Sequence, residues 1–395
     1  MKKQIAIVGN GTAGLQLGYS LKQEFDVTLF HHPTADEIQN GRILSTQVHF
    51  PPTREREERF AMPKWESAPP IRNIHVTIGD KKLFIGKLYG TASSVDQRWA
   101  FPHAMRDLEK QGVSLREGRV SQADVTRLVN EFNLVIDATG KSGPLAPFPI
   151  DNKLSPFDKP QRKCIVGYFK GVDPVYPAGI SITVLPGVGE MFEISALTEN
   201  GLVTILFIEA VPNGDLDAFK GVKSTDVFAE RIADTVRLFF PDIHRRIDGR
   251  KFALVDEKAW LQTAFTPVIR RPYLILDGKL IVSCGDSVFL NDPITGQGCN
   301  TASFCAEKLY ETLMDYRQSS NWDERLGEDY WNRTRPYIQA VTEWTNAMMG
   351  PLPESIIQTF LQGAEDQSVA DQVAAWFNDP RKAHAAFFPD AVRHE

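Results

Sequence analysis

A short apolar run, Gln4-Ile5-Ala6-Ile7-Val8, leads straight into Gly9-Asn10-Gly11-Thr12-Ala13-Gly14, and this junction constrains the fold more than any other segment of the chain. A strand that turns through GxGxxG into a helix opens a parallel α/β unit that sets a dinucleotide pyrophosphate on a helix N-terminus. Gly9 permits the tight turn, and Gly11 lets phosphate approach the backbone where Thr12 and Ala13 begin the helix. Gly14 lets that helix lie close to the strand. Ala13, Leu17 and Leu21 share one helical face, and Asp26-Val27-Thr28-Leu29-Phe30 reads as the second strand. That strand runs into His31-His32-Pro33, where an acidic residue for the ribose hydroxyls is expected. The unit therefore predicts a dinucleotide site with an incomplete ribose clamp.

With 395 residues the chain can bury one large or two medium cores. Lys and Arg total 44 against 50 Asp and Glu, a formal charge of −6 that offers no general attraction to nucleic acid or anionic lipid. The four cysteines (Cys164, Cys284, Cys299, Cys305) show no CxxC spacing and the eight histidines no HExxH, so no metal site is expected. The longest apolar stretch, Leu202 to Val211, is strand length, and Met1-Lys2-Lys3 opens too short a run for a leader peptide. The expectation is a soluble, cytoplasmic protein without nucleic-acid or membrane partners, as a monomer or homodimer.

Residues 51–68 are charged and contain proline, which predicts a solvated surface excursion. Residues 71–78 and 82–88 look like paired strands, 97–112 like a helix, and Asn133 to Gly140 like a buried strand ending at a glycine turn. From about 150 to 265 the pattern is strand after strand, and at Lys279 to Asp286 the nucleotide pattern returns, with a helix starting near Asn300. The remainder is helical and carries four of the seven tryptophans, which implies packing on the body. The predicted division is a discontinuous nucleotide domain (1–150 and 265–320), a sheet domain (151–264) and a helical region (321–395).

Three spaced motifs then act together: the first glycine loop, Asp137-Ala138-Thr139-Gly140, and Gly285-Asp286 followed by Asn291-Asp292-Pro293-Ile294-Thr295-Gly296-Gln297-Gly298. Their order resembles the FAD-binding Rossmann fold of the para-hydroxybenzoate hydroxylase type, an α/β fold with an inserted β-sheet substrate domain and a C-terminal helical region. On that resemblance Thr139 and Gly140 border the cofactor and Asp286 bonds a ribitol hydroxyl. Pro293, Gly296, Gly298 and Asn300 would lie beside the isoalloxazine. Independently, a helix starting there aims unpaired N–H groups and a positive dipole at the flavin, favouring its anionic reduced form. No second GxGxxG follows a strand, and Lys141-Ser142-Gly143-Pro144-Leu145 stands where single-component hydroxylases of this fold carry an Asp-Gly motif. Electrons are therefore expected as reduced FAD from a separate flavin reductase.

Ser155-Pro156-Phe157-Asp158-Lys159-Pro160-Gln161-Arg162, Val166-Gly167-Tyr168-Phe169-Lys170-Gly171, Val95-Asp96-Gln97-Arg98 and Trp344-Thr345-Asn346 closely resemble the epoxidase component of styrene monooxygenases, as do Met1 through Leu17 and the Asp292 to Gly298 turn. These are the two-component, group E flavoprotein monooxygenases. The resemblance implies reduced FAD as a diffusible co-substrate, O2 addition at the flavin C4a atom, and transfer of the distal hydroperoxide oxygen to an alkene. Ser45 and Gln47 match the indole-preferring members, as do Ile71, Ile74 and Ala92, whereas His49 matches the styrene-preferring ones. Gln47 would accept the indole N–H, whose unpaired burial costs about 1–3 kcal/mol. Ile71 and Ile74 also read as ordinary hairpin core, and Gln47 as solvent-facing. Arg42 beside the ring and Arg98 near the phosphates are candidates for holding the flavin. No residue is assigned as acid or base. The expected reaction is epoxidation of the indole C2=C3 bond, leading to indoxyl and indigo. Styrene epoxidation is the near alternative and a non-catalytic FAD-fold carrier the distant one.

Overall fold

The computed structural model describes residues 2–389. Met1 of the opening segment and residues 390–395 of the expected helical region lie outside the described residues. Gln4–Val8 pairs in parallel with Asp26–His31 on one side and Leu134–Asp137 on the other. Lys279–Ser283 and Ser114–Glu117 extend the sheet in parallel, and Tyr273–Leu276 closes one edge antiparallel. The central strands read as unbroken apolar runs because helices cover both faces. Gly9, at φ +118°, and Gly14 make the first turn possible. A Cβ on Gly9 would stand 2.1 Å from the Ala138 carbonyl oxygen, and one on Gly14 1.9 Å from that of Gly9.

A second, eight-stranded sheet is built mainly from Lys163–Lys170, Gly179–Leu185, Gly189–Thr198 and Gly201–Ala210. It also takes in the hairpin Ile71–Ile78 and Lys81–Ala92, because Ile71–Ile78 pairs in parallel with Gly179–Leu185. By sheet membership that hairpin goes with 151–264 rather than with the nucleotide-binding half. One face of this sheet packs on helix Thr225–Phe239. The other faces the C-terminal helices, where Trp344 and Trp376 are buried.

Residues 51–68 depart from the expected excursion. Pro51–Arg59 is a helix, and Arg56 and Arg59 bind the Glu307 carboxylate on helix Gly298–Asp315 at 2.9 and 2.6 Å. Proline at the first helical positions needs no N–H partner, and part of the charge run is matched across the fold.

Candidate functional site

The C-terminal ends of Gln4–Val8, Leu134–Asp137 and Lys279–Ser283 open into a cleft roofed by the inner face of the second sheet. Its cavity volume is about 340 Å³, within the roughly 300–1,000 Å³ typical of a small-molecule pocket. The nucleotide side contributes Gly11, Thr12, Ala13, Thr139, Gly140 and Asp286, and the turn before helix Gly298–Asp315 contributes Pro293, Gly296 and Gly298. The sheet side is apolar, with Val166, Ile180, Phe192, Ile194 and Phe207, and Phe377 reaches in from the C-terminal helices. Two charged side chains line the cleft among the described residues, Lys141 and Asp286.

This lining fits an anionic dinucleotide with a flat aromatic end. Helices Thr12–Leu21 and Gly298–Asp315 both begin at the cleft, so their first N–H groups and dipole ends face it. A Cβ placed on Gly11, Gly140 or Gly298 would meet nothing within 4 Å, so the backbone is open to close approach. Burial raises the Asp286 pKa while the Lys141 ammonium works against that rise. At the end of Leu134–Asp137, the fully buried Asp137 accepts hydrogen bonds from Thr139 N, Thr139 Oγ1 and Leu145 N at 3.0, 2.6 and 2.7 Å, fixing the Thr139-Gly140 turn.

A second cleft of about 400 Å³, lined by His49, Glu57, Trp65 and others, adjoins this one at Gln47. Gln47, Gln97 and Phe101 belong to both walls. Ser45 Oγ donates to Gln97 Oε1 at 2.8 Å. Gln47 meets Thr12 Oγ1 through both amide atoms, Nε2 at 3.0 Å and Oε1 at 3.2 Å, and its Oε1 lies 3.0 Å from His49 Nε2. His49 Nδ1 stands 2.5 Å from Glu57 Oε1.

Several expected contacts are not brought to the flavin cleft. Ile71, Ile74 and Ala92 are fully buried in the core beneath Val48 and Phe50, because Ile71 and Ala92 are register partners in the hairpin. Arg42 is exposed, with its guanidinium 4.8 Å from the Trp260 ring centroid. Arg98 is held by Asp96 and Asp256 at 2.7 and 3.0 Å and lines a separate cleft with Lys258 and Glu199. His49 faces the second cleft. Gly9 and Gly14 serve chain packing. Asn300 is framework, its amide bonding Val48 O and Gly296 O and accepting from Phe50 N and Thr53 Oγ1. The apolar sheet wall was not anticipated. Its signal lies in the alternation of Phe192 and Ile194 on one strand and Phe207 on the next, with Phe207 opposite Phe192 in register.

The fold is that of the para-hydroxybenzoate hydroxylase type, and relatives at 33% and 32% identity make the chain an FAD-dependent monooxygenase using FAD and O2. Among solved structures, the flavin-dependent brominase Bmp2 superposes with a TM-score of 0.67 over 100% of this chain and 98% of its own at 14% identity. PqsL of Pseudomonas aeruginosa, a probable FAD-dependent monooxygenase, gives 0.62 over 94% and 99% at 16% identity. Both attest the fold alone. The family described as "Styrene monooxygenase A putative substrate binding domain" matches residues 140–246. Styrene monooxygenase StyA of Pseudomonas fluorescens is 33% identical over 97% of this chain and 94% of its own, and that of a Pseudomonas sp. 32% over the same shares. The chain belongs to the styrene monooxygenase StyA family.

Proposed function

We propose that this monooxygenase epoxidises the C2=C3 bond of indole, using reduced FAD released by a separate NADH-dependent flavin reductase. Bound reduced FAD supplies two electrons and activates O2, so that one oxygen atom goes to the alkene and the other leaves as water. The chain's own part is to bind, orient and keep water out. The N-termini at Thr12 and Gly298 and the Lys141 ammonium hold negative charge, and the sheet face from Val166 to Phe207 gives a flat aromatic an apolar wall. The observation that carries the indole reading is that Ser45 and Gln47, the pair that matches indole-preferring members, both line the flavin cleft.

A second reading, styrene, is favoured by two observations. The relatives at 33% and 32% identity are styrene monooxygenases, and the Gln47 carbonyl already faces His49 Nε2. Competition between indole and styrene, with protein, reductase and NADH, separates them. We expect kcat/KM for indole to exceed that for styrene about tenfold, a difference of about 1.4 kcal/mol, with blue pigment forming from indole. Faster styrene turnover would overturn the indole reading, and no turnover of either would leave the carrier. Gln47→Val is expected to lower the indole-to-styrene ratio, and an unchanged ratio removes Gln47 from recognition.

A further inference from the structure

Among the described residues, Phe377 is the one side chain that the C-terminal helices bring to the flavin cleft. It stands one residue before the end of helix Gln367–Asn378, and that end is tied at two points. Gln297 Nε2 donates to the Phe377 carbonyl oxygen at 3.2 Å, and Asn378 Nδ2 donates to the Tyr89 carbonyl oxygen at 2.6 Å. The ring itself has two aromatic neighbours. Phe50 lies 5.6 Å away between centroids and Trp344 5.7 Å away, the latter met edge-on. Both neighbours are buried, and aromatic pairs at these separations favour a definite mutual orientation.

We propose that Phe377 is a specificity-determining residue: its ring bounds the apolar part of the cleft and sets how large an aromatic alkene the site accepts. Its packing indicates which ligand it meets. Phe377 packs against the core of the second sheet, with Ile180, Phe192, Ile194 and Phe207, and not against the core beneath the glycine loop. Four cleft residues packed on that core are only partly buried: Ile182, Leu261, Phe265 and Phe377. Ile182 and Leu261 lie on strands of the sheet and Phe265 just past one of them, so their places follow from the sheet. Phe377 comes from another layer, so it bounds the cleft where the sheet does not.

The cleft volume of about 340 Å³ lies at the low end for small-molecule pockets, so one phenyl ring is a large share of the room. A ligand too large for the cleft would have to push aside a ring backed by buried neighbours, and close-packed surroundings yield little. Trimming that ring opens space without touching the helix N-termini at Thr12 and Gly298. The choice of alkenes as ligands rests on the epoxidation reading above, though not on the choice between indole and styrene.

Styrene and 4-vinylbiphenyl differ by one ring and carry the same alkene. Binding of each to the protein loaded with oxidised FAD, followed through the flavin absorbance, needs neither reductase nor turnover. The affinity for 4-vinylbiphenyl relative to styrene should rise from the unmodified protein through Phe377→Leu to Phe377→Ala, by about tenfold over the series. With reductase and NADH, the ratio of kcat/KM values should rise in the same order. Oxidised FAD should bind all three proteins alike. A size ratio unchanged in both variants would overturn the proposal. So would a loss of FAD affinity in the variants at a constant ratio, which would assign the ring to the flavin. A protein that binds the alkenes in the expected order but epoxidises neither would defeat the epoxidation reading and uphold the role of Phe377.

Discussion

Lys141 occupies a position that neither cofactor-binding arginine expected from the sequence holds. Its ammonium lies 4.3 Å from the Phe265 ring centroid at the flavin cleft. Its field reaches far enough to pull down the pKa values of Asp286, Asp292 and Cys164, each of which burial raises. A cation in an apolar-walled cleft stabilises an anionic ligand more than a neutral one, so Lys141 should favour anionic reduced flavin over the oxidised form. Lys141→Met is expected to weaken reduced FAD about tenfold more than oxidised FAD, which lowers the two-electron potential of the bound flavin by about 30 mV. Potentiometry on the loaded protein measures it, and an unchanged potential would count against the role. The contrast with Arg42 and Arg98 shows what sequence reveals at this scale. Gly9 and Gly14 were legible because steric demands are local, and a Cβ on either would collide with backbone. An arginine's destination depends on distant carboxylates. Asp256 lies 158 residues beyond Arg98 and, with Asp96, claims its guanidinium.

The inner strand pair of the second sheet carries an acid that the turn beside it must accommodate. Glu209 on Gly201–Ala210 is fully buried, opposite Cys164 on one neighbouring strand and Glu190 on the other. No N–H or hydroxyl group of the described residues donates to its carboxyl oxygens, and its hydrogen-bonding neighbour is the carboxyl of Asp292, to which protonated Glu209 can donate. Burial, then the charges of Asp292 and Glu190, push its pKa well above the ordinary glutamate value, with Arg162 opposing. A carboxyl that binds its proton more tightly folded than unfolded stabilises the fold fully below the unfolded pKa. That stability is lost as pH rises through the folded value, at about 1.4 kcal/mol per unit of pH within the window. Glu209→Gln, which keeps a neutral side chain of the same size, should therefore show a Tm that falls less steeply than the unmodified protein's from about pH 5 upward. Parallel slopes would show that Glu209 does not carry the effect. Elements themselves were mostly legible: 97–112 is realised as helix Gln97–Lys110 and 71–78 as a strand. Their partners were not. Periodicity shows that Ile71 and Ile74 face a core, but only the parallel pairing with Gly179–Leu185 decides which core, and it is not the cleft wall. The Pro51–Arg59 helix was hidden for the same reason, since a charge run reads as solvated until Glu307 is seen beside it.

At the scale of the molecule, the cleft lies between two sheets and receives walls from the glycine loop, the 44–48 segment, the second sheet and the C-terminal helices. The glycine motifs made the nucleotide half of this wall readable from sequence. The apolar half was not, because it is assembled from alternate residues of strands that are neighbours only in space. The fold offers the flavin many backbone donors, while His31, where a ribose-binding acid was expected, is buried with its ring 3.4 Å from the Pro33 carbonyl oxygen. Helix N-termini and open glycine turns that can take a pyrophosphate, without an acid at His31 for the ribose, would suit a flavin that comes and goes with its redox state. The positive helix ends and Lys141 then set the direction of exchange, since they gain most when the ring carries negative charge. Reduced FAD is accordingly expected to bind at least about tenfold more tightly than oxidised FAD, a gap of about 1.4 kcal/mol. Anaerobic titration with each form measures the two constants directly. In the same preparation NADH should be consumed only when a flavin reductase is added. Oxidised FAD held as tightly as the reduced form, or NADH consumed by the protein alone, would mean that the flavin is a resident group and that the reductase partner is not required.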